Sequence, residues 1–116
     1  MKYLIAFFGA SAVLLGALGA HTLAPYLEAS ALNSFKTGVL YQWVHAVALL
    51  ATLKSNIPNW ARYCWSAGII LFSFSIYLLA TDDLLGVNLS FLGPITPLGG
   101  LAFVVGWIGS ALPKSN

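Results

Sequence analysis

Between Gly38 and Leu53 the chain reads GVLYQWVHAVALLATL, a run apolar enough to cross a bilayer that nonetheless carries Tyr41, Gln42 and His45 within one helical turn. Positions i, i+3 and i+4 share a helix face, so the three polar side chains are expected on one side, with Gly38 a turn earlier. Facing acyl chains is costly for such groups: a charge at mid-membrane costs ~2.5–3.5 kcal/mol on the insertion scale, and uncharged groups cost less. This face is therefore expected to look into protein, with the other helices arranged to cover it.

The rest of the chain is made of matching material. Only 7% of the 116 residues are charged and 59% are hydrophobic, against about 25% charged in a soluble domain. Most of the surface must then face lipid, and a single domain over 1–116 with the lipid bilayer as solvent is expected. Five basic against three acidic residues, a net charge of +2, fall far short of the dense basic stripe that nucleic acid requires, which excludes that partner. Cys64 is the sole cysteine; it cannot form an internal disulfide, and the redox compartment is not readable from it.

At the amino terminus, Met1-Lys2 followed by YLIAFFGASAVLLGALGA has the outline of a secretory signal. The apolar run is long for a signal core and Leu18-Gly19-Ala20 is a mediocre cleavage site, so Tyr3 to Ala20 is expected to stay as a first span. Its Ala12, Gly16 and Ala20, spaced by four, offer a face on which another backbone can approach. Pro25 and Glu28 suit a helix amino end, and Leu27, Ala31 and Phe35 suggest a short interfacial helix leading into the second span. The polar turn 55–59 is short enough to make the second and third helices antiparallel neighbours.

A third span from about Trp60 to Ala80 places Ser66, Ser73 and Tyr77 on one face, and 81–94 reads as a loop. The fourth span is expected to be capped by Thr96 with Pro97 at its first position, to carry Gly99, Gly106 and Ser110 as a second small-residue face, and to stop at Pro113. The expected fold is thus all-α: an integral membrane bundle of four transmembrane helices. Four spans put Lys2, Lys54, Arg62 and Lys114 on one side, with Lys36, Glu28, Asp82 and Asp83 on the other. The positive-inside bias then makes both termini cytoplasmic, with Tyr3, Trp60, Tyr63, Trp65 and Trp107 as an aromatic belt at that interface.

Four stretches together, GALGAHTL (16–23), GVLYQWVHAVALL (38–50), GIILFSFSIYLLA (68–80) and ITPLGGLAFVVGWIGSAL (95–112), resemble the YgdD/YwdK-like family of small membrane proteins, a domain of unknown function. The resemblance covers nearly the whole chain and implies a four-helix bacterial inner-membrane protein with mitochondrial transmembrane relatives. It carries no reaction, ligand or catalytic residue with it.

The best candidate site is a buried polar cluster of Tyr41, Gln42 and His45 with Ser73, Tyr77 or Thr96 as partners. An interhelical hydrogen-bond network that fixes register explains it, at ~0.6 kcal/mol per bond on average in membranes. A proton relay or a polar ligand pocket is the sharper alternative, weakened by the lack of an intramembrane carboxylate. His21 and Glu28 form a second candidate at the outer interface, explained equally well by helix-end capping or a bond to Asp82. Haem or metal shared by His21 and His45 is disfavoured by their different depths and by the missing third ligand, and no cofactor is expected. No nucleophile–base pair, phosphate loop or paired carboxylates are present, so an enzyme is not expected. The leading expectation is a non-catalytic structural, assembly or partner-binding membrane protein, as a homo-oligomer or with a membrane-protein partner. The alternative is a small transporter or channel for a neutral or lipid-like solute that uses the Tyr41/Gln42/His45 face.

Overall fold

The computed structural model describes residues 1–115, and these are helical with no strand. Four helices follow one another: α1 (Lys2–Tyr26), α2 (Ala29–Ala51), α3 (Asn59–Leu85) and α4 (Ser90–Ser110). Of these, α1, α3 and α4 are long and apolar enough to cross a membrane. The helix α2 falls outside that set; Lys36, Gln42 and His45 lower its average, which ignores the face each side chain takes.

Neighbours in sequence are neighbours in space: α1 packs on α2, α2 on the middle and second half of α3, and α3 on α4. Met1 lines a small cavity with Asn59 and Arg62, and the Lys114 amide donates to the Asn56 carbonyl at 2.9 Å. Both described chain ends and the α2–α3 turn therefore share one end of a body measuring 50 × 26 × 19 Å. Phe8 from α1, Leu49 from α2, Ala61, Trp65 and Ile69 from α3, and Phe103 from α4 fill the core. Large apolar side chains such as Leu14, Leu98, Leu101 and Ile108 point outward, the expected surface of a chain whose solvent is lipid.

Several boundaries differ from the sequence expectation. No separate interfacial helix stands between the first two helices. Instead α1 continues as a π segment, Leu18–Leu23, and a 3-10 turn, Ala24–Tyr26, while α2 begins at Ala29 with Glu28 as N-cap. Pro25 sits in the first turn of the 3-10 piece, where its missing N–H costs nothing. Gly19 is buried against Phe35 while Ala20 is exposed, so the packing row is Ala12, Gly16, Gly19, the four-then-three spacing of one helix face.

The third helix runs five residues further than expected and contains Thr81, Asp82 and Asp83. Its stop is Gly86, the one residue with positive φ among the described residues, at 70°. The Val87 amide reaches the Asp82 carbonyl and the Gly86 amide the Asp83 carbonyl, a Schellman ending that a Cβ-bearing residue strains. The regular part of α4 starts at Ile95 with Pro94 as N-cap, so Thr96 lies inside the first turn and is not the cap. Its small-residue face is Gly99, Gly106 and Gly109, all buried, with Ser110 at the margin. A Cβ on Gly99 would run into the Leu71–Phe72 backbone, one on Gly106 into the Trp65 indole, and one on Gly109 into the Trp60 ring. This face is consumed within the chain.

Candidate functional site

Gln42 is fully buried and hydrogen-bonds to helices on both sides of α2. Its Nε2 donates to the Phe8 carbonyl at 2.8 Å and the Ser11 hydroxyl at 2.7 Å, both on α1. Its Oε1 accepts from the Tyr77 hydroxyl of α3 at 2.7 Å. Both amide hydrogens and the carbonyl oxygen are occupied by the chain itself, which is what a buried amide requires in hydrocarbon.

One turn earlier α2 and α3 come close at Gly38, where a Cβ would lie 2.8 Å from the Tyr77 ring. The approach lets Ser73 donate to the Gly38 carbonyl at 2.7 Å. Phe35 covers Tyr77 from the α2 side, ring centroids 4.9 Å apart.

His45 is buried one turn further on, and its ring stacks on Phe103 with centroids 3.6 Å apart. The Trp107 indole nitrogen lies 2.9 Å from Nε2. An indole N–H can only donate, so Nε2 accepts and the imidazole proton sits on Nδ1. That nitrogen in turn donates to the Tyr41 carbonyl, 2.7 Å away. The two bonds select one neutral tautomer, and an imidazolium would forfeit the Trp107 bond.

The structure thus joins Gln42, Tyr77 and Ser73 into one α1–α2–α3 network and gives His45 to a separate α2–α4 contact. Two expected members fall elsewhere. Tyr41 is 42% exposed; adjacent residues on a helix are separated by about 100°, so it cannot share the inner face fully with Gln42. Its backbone carbonyl accepts from His45, and its ring, nearly parallel to the imidazole with centroids 6.1 Å apart, leans on Phe72 at 4.8 Å. Thr96 faces Ser75, the two hydroxyls 2.6 Å apart. Ser75 also lies 2.6 Å from the Leu71 carbonyl and 2.9 Å from that of Phe72, within the π segment Ile69–Phe74 whose bonding pattern is shifted.

His21 and Glu28 are both exposed, and no hydrogen bond joins either to the other or to Asp82 among the described residues; Asp82 instead lies 3.4 Å from the Leu89 amide.

Sequence reasoning passed over Ser11, Ser75, Trp107 and Arg62. Two of the aromatics assigned to an interfacial belt are structural. Trp65 is buried in the core, its Nε1 the one buried side-chain polar atom without a partner among the described residues, and Trp107 holds His45. Arg62 is buried and gathers the end of α2. Its Nε and Nη2 donate to the Thr52 carbonyl, Nη2 also to the Ser55 carbonyl at 2.8 Å, and Nη1 to Asn59 Oδ1 at 2.9 Å and the Ile57 carbonyl at 3.3 Å. A guanidinium among the carbonyls left over at a helix carboxyl end is favourable by charge as well as by hydrogen bonding.

A cleft of about 650 Å³ lies at the opposite end, between Ser30, Asn33 and Thr37 of α2, Ile76 of α3, and Thr96 and Pro97 of α4. Neither Gln42 nor His45 opens into it. No three His, Cys, Asp or Glu side chains gather as a metal site among the described residues.

Residues 15–100 match the family described as protein of unknown function (DUF423). A UPF0382 membrane protein of Haemophilus influenzae is 41% identical over 95% of this chain and 90% of its own length. YwdK of Bacillus subtilis is 43% identical over 84% of this chain and 80% of its own, and the inner membrane protein YgdD of Escherichia coli 35% over 82% and 73%. No solved structure matches.

Proposed function

The chain belongs to the DUF423 family of UPF0382 membrane proteins, and from that premise we propose that it is a non-catalytic, structural protein of the bacterial inner membrane whose polar cluster is a packing lock. The observation that carries this reading is the internal commitment of Gln42. Both amide hydrogens and one acceptor site of its oxygen are spent on α1 and α3, and the side chain is fully buried. His45 is likewise committed at both nitrogens.

All four helices cross the bilayer in this reading. Since α1 and α3 start at the same end, the chain must travel back between them, and α2 is the return path. Its 23 residues extend ~34 Å at 1.5 Å each, enough for a hydrocarbon core of ~30 Å. The end bearing Lys2, Lys54, Arg62 and Lys114 is cytoplasmic by the positive-inside bias. A homo-oligomer or a membrane-protein partner completes the reading; co-purification from native membranes identifies which. With the α4 glycines spent internally, a partner on that helix meets large side chains such as Leu101 and Ile108.

Purified protein in liposomes tests the proposal. Gln42→Ala should weaken the fold in detergent and change no flux, because wild type moves neither protons nor neutral solutes. A Gln42→Ala protein that folds as well as wild type but loses a measurable wild-type flux overturns it. That outcome favours the second reading, a small transporter, for which the hydroxyl-lined 650 Å³ cleft is the entrance.

A further inference from the structure

Along the outer side of the α1–α2 seam runs a trench of about 370 Å³, floored by Ala6, Gly9 and Ala10 and walled by Trp43, Val47 and Leu50. Lys2 stands at its mouth. The floor is low because nothing lies within 4 Å of the place a Gly9 Cβ would take. A second hollow, sharing Val13 and Trp43, continues the line toward Lys36 at the far end.

We propose that the first trench seats one acyl chain of an anionic phospholipid, drawn from the leaflet on the side of the chain termini, with its phosphate at Lys2. Three features point to that occupant. The lining below Lys2 is apolar apart from the Trp43 indole nitrogen and suits hydrocarbon. From Lys2 to Val13 the helix rises ~16 Å, half of a hydrocarbon core of ~30 Å, which is the depth one acyl chain fills. The charge is complementary: Lys2, Lys54 and Arg62 lie at this end and no Asp or Glu does. A second copy of the chain is the rival occupant. Two copies inserted in the same direction and related by a two-fold axis would set Lys2 against Lys2 across the seam, and like charges within an interface oppose association. A phospholipid brings the opposite charge to the same spot.

The full chain in nanodiscs of phosphatidylcholine with a minority of phosphatidylglycerol, followed by native mass spectrometry of the lipids it retains, tests this. Wild type should retain phosphatidylglycerol in preference. Lys2→Gln should lower that preference about five-fold, the worth of one lysine at an anionic surface. Lys54→Gln removes the same charge from the same end but off the trench and should leave the preference near wild type. Gly9→Leu fills the trench where space is open, so it should keep helical content while losing both lipids. Equal effects of Lys2→Gln and Lys54→Gln would reduce the site to diffuse attraction and overturn the proposal. So would undiminished lipid retention by a folded Gly9→Leu, or efficient disulfide formation between copies by Gly9→Cys in a Cys64→Ser background.

Discussion

Gln42 is the side chain on which three helices depend, and its contribution can be measured as a coupling. Tyr77→Phe removes only the hydroxyl that donates to Gln42 Oε1, and Gln42→Leu removes the acceptor while keeping the volume apolar. A double-mutant cycle on unfolding in mixed micelles should give a coupling of about 0.6–1.7 kcal/mol, the range found for hydrogen bonds between membrane helices. Additive single-mutant effects would mean that the bond does not lock the helices. His45 offers a spectroscopic counterpart. Nitrogen NMR of the labelled ring should show a protonated Nδ1 and a bare Nε2, and Trp107→Phe, which deletes the indole donor to Nε2, should allow the other tautomer to appear. A wild-type ring with its proton on Nε2 would contradict the assigned geometry. The burial of Gln42 and His45 was legible because hydrocarbon leaves an amide or imidazole so few alternatives. Tyr41 was not, since a phenol tolerates a half-exposed position that leaves its ring against Phe72. Serines in mid-helix are equally ambiguous, as each can bond its own preceding turn; Ser73 leaves its helix for Gly38 while Ser75 stays on Leu71 and Phe72.

Among the elements, apolar length and punctuation fixed the helix cores, and local wrapping decided their ends. Pro113 marks a stop that α4 respects, whereas Gly86, placed inside the expected 81–94 loop, is where α3 ends, and nothing in LGAHTL or IILFSF signals a π turn. The α2–α3 connection reads as a polar turn and is one. Its organisation was hidden because Arg62 lies outside it, folded back from α3 over the carbonyls of Thr52, Ser55 and Ile57. A cation counted from sequence alone looks interfacial; only the three-dimensional return of 52–59 turns it into a cap. Arg62→Lys keeps the charge but has three donors on a point-like head in place of a planar fork of five. It should destabilise the protein by about 1.5–3 kcal/mol, the worth of a charged hydrogen bond, and speed hydrogen exchange of amides in 52–59. An unchanged unfolding midpoint and exchange pattern would show that the clamp is dispensable.

At the scale of the whole molecule, direction and number of crossings remain linked. Hydropathy singles out α1, α3 and α4 and passes over α2, yet a three-crossing chain cannot return α3 to the end where α1 began. The resolution is that hydropathy averages around a helix, whereas the bilayer meets only the outward side: Leu40, Val44, Val47 and Leu50 of α2 are exposed while Gln42 and His45 are enclosed. In the proposed four-span reading an even number of crossings ties the two ends to one side, and the distribution of Lys2, Lys54, Arg62 and Lys114 against Lys36, Glu28, Asp82 and Asp83 assigns that side to the cytoplasm. In a Cys64→Ser background, Val87→Cys, half exposed in the α3–α4 turn, should react with a membrane-impermeant maleimide in intact bacterial spheroplasts. Lys114→Cys, at the opposite end, should react only after the membrane is opened. Labelling of both positions from outside would leave α4 short of a crossing, and the reverse pattern would put the basic end outside and break the charge argument. The expected pattern establishes the crossing of α4; that of α2 belongs to the proposed reading, in which α1 and α3 start at one end and four antiparallel helices carry Met1 and Lys114 to the same face of the membrane.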